Sequence, residues 1–72
     1  MKYFLVLRNE KKQNESIVET HSMSEAKRKK EDIQRKGHKG EVVIAYGNTL
    51  KEMLDTFTEY RPKNWRQLIQ GK

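Results

Sequence analysis

Three short runs of apolar residues along the chain predict β-strands. Residues 3–7, 16–21 and 41–46 are rich in aromatic and β-branched side chains and are separated by polar or glycine-containing segments. The first run is apolar at every position, so both of its faces are apolar, which is typical of a central strand. The second run ends in polar residues, as expected of an edge strand. Residues 9–15 have the composition of a hairpin loop, which makes the first two strands antiparallel.

A capping box predicts the first helix. Ser22 and Glu25 stand three residues apart, so each side chain can accept a hydrogen bond from the other's backbone amide. The helix is predicted to end near Lys36, because Gly37 takes a left-handed conformation without steric cost. Its apolar face is thin. It consists of Met23, Ala26 and Ile33, with the methylenes of Lys30 beside them.

The second predicted helix has a stronger apolar stripe. Thr49 and Glu52 form another capping box, the helix is predicted over residues 50–60, and Pro62 follows its end. Apolar residues recur at helical spacing along this segment. They are Leu50, Met53, Leu54, Phe57 and Tyr60.

These elements predict an α+β fold in the order ββαβα with a short C-terminal helical appendage. The doubly apolar first strand belongs in the middle, so the three-stranded sheet is expected in the order 2-1-3. We expect a two-layer sandwich with both helices on one face of the sheet. The appendage, opened by Asn64 and Gln67, offers Trp65, Leu68 and Ile69 as a cover for the other face. If it does not cover that face, an apolar patch is left for a partner.

The size of the chain limits what it can do. Its 72 residues form a single domain, 1–72, and only 33% of them are apolar, so the core is small. An enclosed substrate pocket of ~300 Å³ or more is not expected in such a core. There is no cysteine, and the two histidines, His21 and His38, are far apart. We therefore expect a binding protein rather than an enzyme, with no metal and no cofactor.

The apolar runs also bear on location. The N-terminal run is shorter than the ~7 apolar residues of a minimal signal-peptide core. No segment approaches the ~18 apolar residues of a membrane span. Together with the absence of cysteine, this predicts a cytoplasmic protein that does not enter a membrane.

Positive charge is concentrated in two segments. Sixteen Lys and Arg stand against ten Asp and Glu, for a net charge of +6. Residues 25–41 carry a net charge of +3, and residues 61–72 carry four cations and no acid. Such a field favours anionic partners, namely DNA, RNA or an acidic protein.

Nine residues of these segments are candidate contacts to nucleic-acid phosphates. They are Lys27, Arg28, Arg35, Lys36, His38, Lys39, Arg61, Lys63 and Arg66. The alternative is that the helical ones form a solvated face, because four opposite-charge pairs at i,i+4 spacing are available. The pairs are Lys27–Glu31, Arg28–Asp32, Glu31–Arg35 and Asp32–Lys36. This partial neutralisation makes the acid-free tail, beside the turn at residues 37–40, the stronger candidate.

Two motifs are interpreted structurally. Gly37-His38-Lys39-Gly40 matches the GxxG loop of KH domains, but it joins a helix to a strand, so we interpret it as a helix C-cap followed by a tight turn. Residues 60–66 interleave aromatics with cations, a pattern that suits base stacking or a protein interface. In so small a domain Trp65 is more simply a core residue ringed by cations.

The sequence therefore leaves two hypotheses. The first is a small, basic, non-enzymatic module that contacts nucleic acid mainly through phosphates. The second is a protein-interaction or inhibitory module that docks on an acidic protein. The short, Lys- and Glu-rich chain is typical in style of bacterial or phage-encoded small proteins, although no motif marks one. The pattern does not fix the oligomeric state.

Overall fold

The computed structural model describes residues 1–63 and 65–70, with the backbone alone for residues 68–70. These residues form one sheet of three strands, together with three helices. In chain order these are β1 (Lys2–Arg8), β2 (Asn14–Thr20), α1 (Met23–Arg35), β3 (Val42–Gly47), α2 (Leu50–Thr56) and α3 (Trp65–Gln70). A single 3₁₀ turn (Thr58–Tyr60) lies between α2 and α3.

The sheet has the order β2-β1-β3, with β1 antiparallel to both neighbours. Leu5, at the middle of β1, lies opposite Val18 on one side and Ile44 on the other. Central β1 has no unpaired edge, and Phe4, Leu5 and Val6 are fully buried because elements cover both faces of the strand. The α+β class, the sheet order, the central first strand and the short C-terminal helix are confirmed.

The two main helices lie on opposite faces of the sheet, so the prediction that they share one face of a two-layer sandwich was wrong. On one face, Leu5 and Val42 pack against Ala26 of α1. On the other, Phe4 and Val6 pack against α2. The molecule is therefore a helix–sheet–helix arrangement.

The reason for this arrangement is the amount of apolar surface on β1. Because successive side chains of a strand point to opposite faces, Phe4 and Val6 need a cover of their own. The side chains of Met53 and Leu54 in α2 supply it and are completely buried there. The six residues of α3 are too few for that task, and only Trp65 of its described side chains joins the same cluster. The predicted contributions of Asn64, Leu68 and Ile69 lie outside the described side chains.

The first helix begins and ends where its sequence signals predicted, but Glu25 caps the amide of His21 rather than that of Ser22. The Ser22 hydroxyl accepts a hydrogen bond from the Glu25 amide at 3.1 Å, and Glu25 Oε1 accepts one from the His21 amide at 2.9 Å. Lys36 caps the C-terminus, and Gly37 follows with φ of 95°. Of the predicted apolar face, Ala26 is buried while Met23 is exposed, so this helix is held by few apolar contacts.

The second helix is shorter than the predicted 50–60. It ends at Thr56, and Phe57 has φ of −112° and ψ of 74°, outside the helical region. The 3₁₀ turn that follows brings Tyr60 into a stacked contact with Phe57, with ring centroids 5.8 Å apart. The apolar stripe thus continues through Tyr60, but the backbone bends to bring these rings onto the core cluster.

The capping carboxylate of Glu25 makes the stability of α1 depend on pH. The hydrogen bond from the His21 amide, helped by Lys29 and Arg28 nearby, lowers the pKa of Glu25 below its ordinary value of 4.5. A carboxyl whose pKa is lower in the folded state stabilises that state above its unfolded pKa and loses the effect as pH falls through the folded pKa. We expect Glu25→Gln to be less stable than the natural chain at neutral pH, and we expect the difference to disappear as the pH is lowered through the folded pKa of Glu25. Urea unfolding across that range measures the difference, and a gap that does not change with pH would contradict the assignment.

Candidate nucleic-acid interface

Three connections meet at one end of the sheet, here called the loop end. They are the β1–β2 loop (residues 9–13), the α1–β3 turn (residues 36–41) and the segment after the 3₁₀ turn (residues 61–63). They meet because α1 runs back along the sheet, so that β3 can begin beside Leu7 at the end of β1. On the opposite face α2 also ends near this point, and Asn14 Nδ2 donates to the Glu59 carbonyl at 3.0 Å.

Arg8, the last residue of β1, contacts the first two of these connections and the 3₁₀ turn that precedes the third. Its backbone amide donates to the Glu41 carbonyl at 2.8 Å. Its guanidinium Nη2 donates to the Lys12 carbonyl at 2.7 Å, and Nη1 lies 3.7 Å from the Glu41 carboxylate. The same guanidinium lies 5.6 Å from the centroid of the Tyr60 ring. The Arg8 side chain is only 18% exposed, so these contacts are largely shielded from water.

The α1–β3 turn also docks on the backbone of Arg8. His38 Nε2 donates to the Arg8 carbonyl at 2.8 Å, because a carbonyl oxygen only accepts. Gly40 lies so close that a Cβ there would stand 1.7 Å from the same oxygen. The two glycines of the GxxG motif are thus explained by a left-handed residue at Gly37 and a close approach at Gly40. The interpretation as a C-cap and tight turn is confirmed.

The β1–β2 loop is held by the side chain of Asn9. Its Oδ1 accepts hydrogen bonds from the amides of Lys11 and Gln13, both at 2.9 Å. Its Nδ2 donates to Gln13 Oε1 at 3.0 Å. The amide of Lys12, which has φ of 62°, donates to the Asn9 carbonyl at 3.0 Å. The loop is therefore ordered before any partner arrives.

Two open grooves flank this loop and share Asn9, Gln13 and Glu15 as a common wall. The turn-side groove has a volume of about 360 Å³ and is completed by Glu10, Lys11, His38, Lys39 and Gly40. The tail-side groove has a volume of about 470 Å³ and is completed by Lys12, Asn14, Arg61 and Lys63. The loop thus forms a ridge between two depressions.

Each groove is bordered by two lysines from different connections: Lys11 and Lys39 on the turn side, Lys12 and Lys63 on the tail side. All four side chains are exposed. Within the part of the chain that the structure describes, none of them has a carboxylate within 4.0 Å. Four cations on three separate connections are therefore available to an anion.

The loop end, taken together with the residues that directly flank it, carries an excess of positive charge. Residues 8–15, 36–41 and 59–63 together contain seven Lys and Arg and four Glu. The cations are Arg8, Lys11, Lys12, Lys36, Lys39, Arg61 and Lys63, and the acids are Glu10, Glu15, Glu41 and Glu59. Half of the net charge of the chain is therefore gathered at one end of the sheet.

The structure brings together only some of the residues that the sequence indicated. His38, Lys39, Arg61 and Lys63 line the two grooves. Arg35 and Lys36 end α1 near the loop end but line neither groove. Lys27 and Arg28 lie two turns earlier along α1, about 10 Å away at the helical rise of ~1.5 Å per residue. Arg66 lies on α3, with its guanidinium 5.5 Å from the centroid of the Trp65 ring.

The balance of paired and unpaired charge differs from the prediction. Of the four expected pairs along α1, only Asp32–Lys36 is formed among the described residues, at 3.2 Å. Arg61, in the segment predicted to be uncompensated, is instead paired with Asp55 at 3.3 Å. The positive field of α1 is thus less neutralised than its sequence suggested, and that of the tail more so.

Arg61 and Trp65 serve the fold. Arg61 Nε donates to the Leu54 carbonyl at 3.0 Å, and its guanidinium lies 4.6 Å from the centroid of the Trp65 ring. Trp65 is half-buried against the α2 cluster. This favours the interpretation of Trp65 as a core residue ringed by cations over that of a base-stacking platform.

Lys11 and Lys12 were missed at the level of sequence. Residues 9–15 were interpreted only as a hairpin loop, and two lysines in a polar loop have no pattern of their own. In the structure the two lysines reach opposite flanks of the loop, Lys11 in the turn-side groove and Lys12 in the tail-side groove.

The described residues contain neither a candidate metal site nor a candidate membrane-spanning helix. No group of three His, Asp or Glu residues within them is placed to hold a metal ion. None of the helices described is long and apolar enough to cross a membrane.

Comparisons with protein-family models, with curated proteins and with solved structures found no match.

The contact of Gly40 with Arg8 gives a test of how the turn docks. Gly40→Ala places a methyl group onto the Arg8 carbonyl, so we expect a loss of about 3 kcal/mol in the free energy of unfolding. Gly37→Ala meets no neighbouring atom and is strained only by its positive φ, so a loss of about 1 kcal/mol is expected. Urea denaturation of both variants measures this order. A Gly40→Ala protein as stable as the natural chain would show that the turn does not pack on β1.

The Asn9 side chain gives a test of loop order. Asn9→Ala removes the acceptor of two amides, so hydrogen exchange at Lys11 and Gln13 is expected to become roughly tenfold faster, equivalent to about 1.4 kcal/mol. Asn9→Asp keeps the acceptor oxygen and is expected to retain slow exchange. Amide exchange followed by NMR measures both. Fast exchange in the natural chain would mean that the loop is not preorganised.

Proposed function

We propose that the protein binds nucleic acid through its phosphates, using the loop end as the contact surface. The observation that carries this proposal is the set of four exposed lysines, without carboxylate partners among the described residues, at the borders of the two grooves. Phosphate contacts by Lys and Arg release counterions and need no enclosed pocket. Open grooves with cationic borders on a small domain suit such contacts better than they suit a small molecule.

The order of the loop end supports the proposal. Lysines on a flexible tail lose side-chain and backbone freedom when they bind, which lowers affinity. Here Asn9 fixes the loop that bears Lys11 and Lys12, and the Gly40 contact fixes the turn that bears Lys39. If all four lysines contact phosphates, the slope of log K against log salt is about −3.6. Phosphate contacts carry little sequence information, so weak sequence preference is expected.

Docking on an acidic protein is less well supported. That hypothesis drew on the two apolar faces of the first strand and on the aromatic tail, but helices pack on both faces and Trp65 joins the α2 cluster. Large apolar side chains exposed within the described residues are few and scattered: Met1, Met23 and Tyr46. An interface core usually gathers such side chains into one patch.

Two matched pairs of substitutions test the contact surface. Lys39→Ala with Lys63→Ala removes one lysine from each groove. Lys27→Ala with Arg28→Ala removes the same charge from α1. We expect the first pair to lower affinity for labelled nucleic acid about tenfold or more and to reduce the salt slope by about 2. The second pair is expected to change affinity less than about threefold, through long-range attraction alone. Fluorescence anisotropy at several salt concentrations measures both.

Two outcomes would overturn the proposal. Equal loss of affinity in both double variants would mean that total charge, and not the loop end, governs binding. A polyglutamate chain that binds the loop end as tightly as nucleic acid at the same salt concentration would favour the acidic-protein partner. Circular dichroism of each variant checks that the fold is unchanged.

A further inference from the structure

We infer that the partner is double-stranded B-form DNA, with the β1–β2 loop entering the major groove and the two phosphate strands lying along the two grooves of the protein. This inference rests on the proposed function and specifies its ligand. It is carried by the placement of the loop as a ridge between two depressions, each bordered by two lysines, with Glu15 in the shared wall and Glu10 on the turn side.

The lysines form two separate rows. Lys11 and Lys39 border the turn-side groove, and Lys12 and Lys63 border the tail-side groove. The ridge of loop residues stands between the rows. A single strand of phosphates occupies one row at a time. A duplex has two phosphate strands with a groove between them. Each strand can therefore face one row of lysines while the ridge between the rows enters the groove.

The width of the ridge selects the groove. The ridge is the tip of the β1–β2 hairpin, so its breadth is that of a two-stranded β-ribbon, whose backbones lie about 4.8 Å apart. The major groove of B-form DNA is about 12 Å wide and admits a two-stranded β-ribbon, whereas the minor groove is about 6 Å wide. The major groove of A-form RNA is deep and too narrow for side chains to read. B-form DNA is therefore the duplex that the ridge fits.

The aromatic side chains do not offer a platform for unpaired bases. Neither groove has Phe, Tyr or Trp in the lining that the structure describes, and the ring of His38 in the turn-side groove is bonded to the Arg8 carbonyl. The Trp65 ring lies under Arg61 and Arg66, and the Tyr60 ring contacts Phe57 and Arg8. Single-strand binding without sequence preference usually depends on such stacking.

The test compares one sequence as duplex DNA, as single-stranded DNA and as duplex RNA, by fluorescence anisotropy with the full chain. We expect duplex DNA to bind about tenfold or more tightly than either alternative. Lys11→Gln with Lys39→Gln, and Lys12→Gln with Lys63→Gln, each remove one row. Each is expected to lower duplex affinity about tenfold and the salt slope by about 2. Protection of guanine N7 from methylation, expected on the duplex, identifies the major groove.

The outcomes separate this inference from the proposed function. Three results would overturn the inference of B-form duplex DNA and leave phosphate binding intact. They are equal affinity for single-stranded and duplex DNA, equal affinity for duplex RNA and duplex DNA, and guanine N7 atoms that are not protected from methylation. Loss of duplex affinity in only one of the two row variants would also overturn it, because the second strand would then make no contact. Absence of binding to all three ligands would overturn the proposed function itself.

Discussion

The loop end depends on Arg8, which ends the central strand and holds the connections on either side of it. Its amide and carbonyl bind the α1–β3 turn, its guanidinium binds the carbonyl of Lys12, and its planar face lies on Tyr60. A buried guanidinium is expensive to remove from water and is stabilised only where partners surround it. Its Nε has no hydrogen-bond partner in the structure, so the cation–π contact with Tyr60 is an important part of its environment.

This arrangement explains how a domain with so small a core presents an ordered surface. Eight buried apolar side chains form the two core clusters of the described residues, and none of them belongs to the loop end, where Pro62 is buried outside these clusters. Order there comes instead from short polar contacts: the Asn9 side chain, the His38 bond and the Gly40 approach. Because these contacts use backbone atoms, they fix the positions of the lysines without using their ammonium groups, which stay exposed to solvent.

Much of the fold was readable because its signals are local. Ser22 and Thr49 cap the helices as their sequences predicted, and the doubly apolar run at residues 3–7 identified the central strand. The face of the sheet that α2 covers could not be predicted from the sequence, because a strand with two apolar faces offers both faces to the next helix. The end of α2 before Phe57 could not be predicted for a similar reason. The apolar residues continue at helical spacing through Tyr60, and only the packing of the Tyr60 ring on Phe57 shows that the backbone bends.

The candidate site was less readable than the fold. Lys39 and Lys63 were found from charge alone, but 24 residues separate them along the chain, and strand pairing decides that they border neighbouring grooves. Lys11 and Lys12 gave no signal, because a lysine pair in a polar loop is common. Arg8 was invisible for the opposite reason, since one arginine at the end of a strand belongs to no pattern. The sequence placed the tail beside the turn at residues 37–40 first, and it also offered Lys27 and Arg28, whose helix carries them away from the loop end.

The sheet order has a consequence for how the chain is made. β1 is synthesised before β2 and β3, yet it takes the middle place, and β3, which completes the sheet, lies some forty residues later. A nascent chain therefore exposes a strand with two apolar faces until α1 has covered one face and α2, which follows β3, has covered the other. The hairpin partner β2 comes within a few residues and protects one edge early. The charged α1 is synthesised next, before β3 closes the second edge.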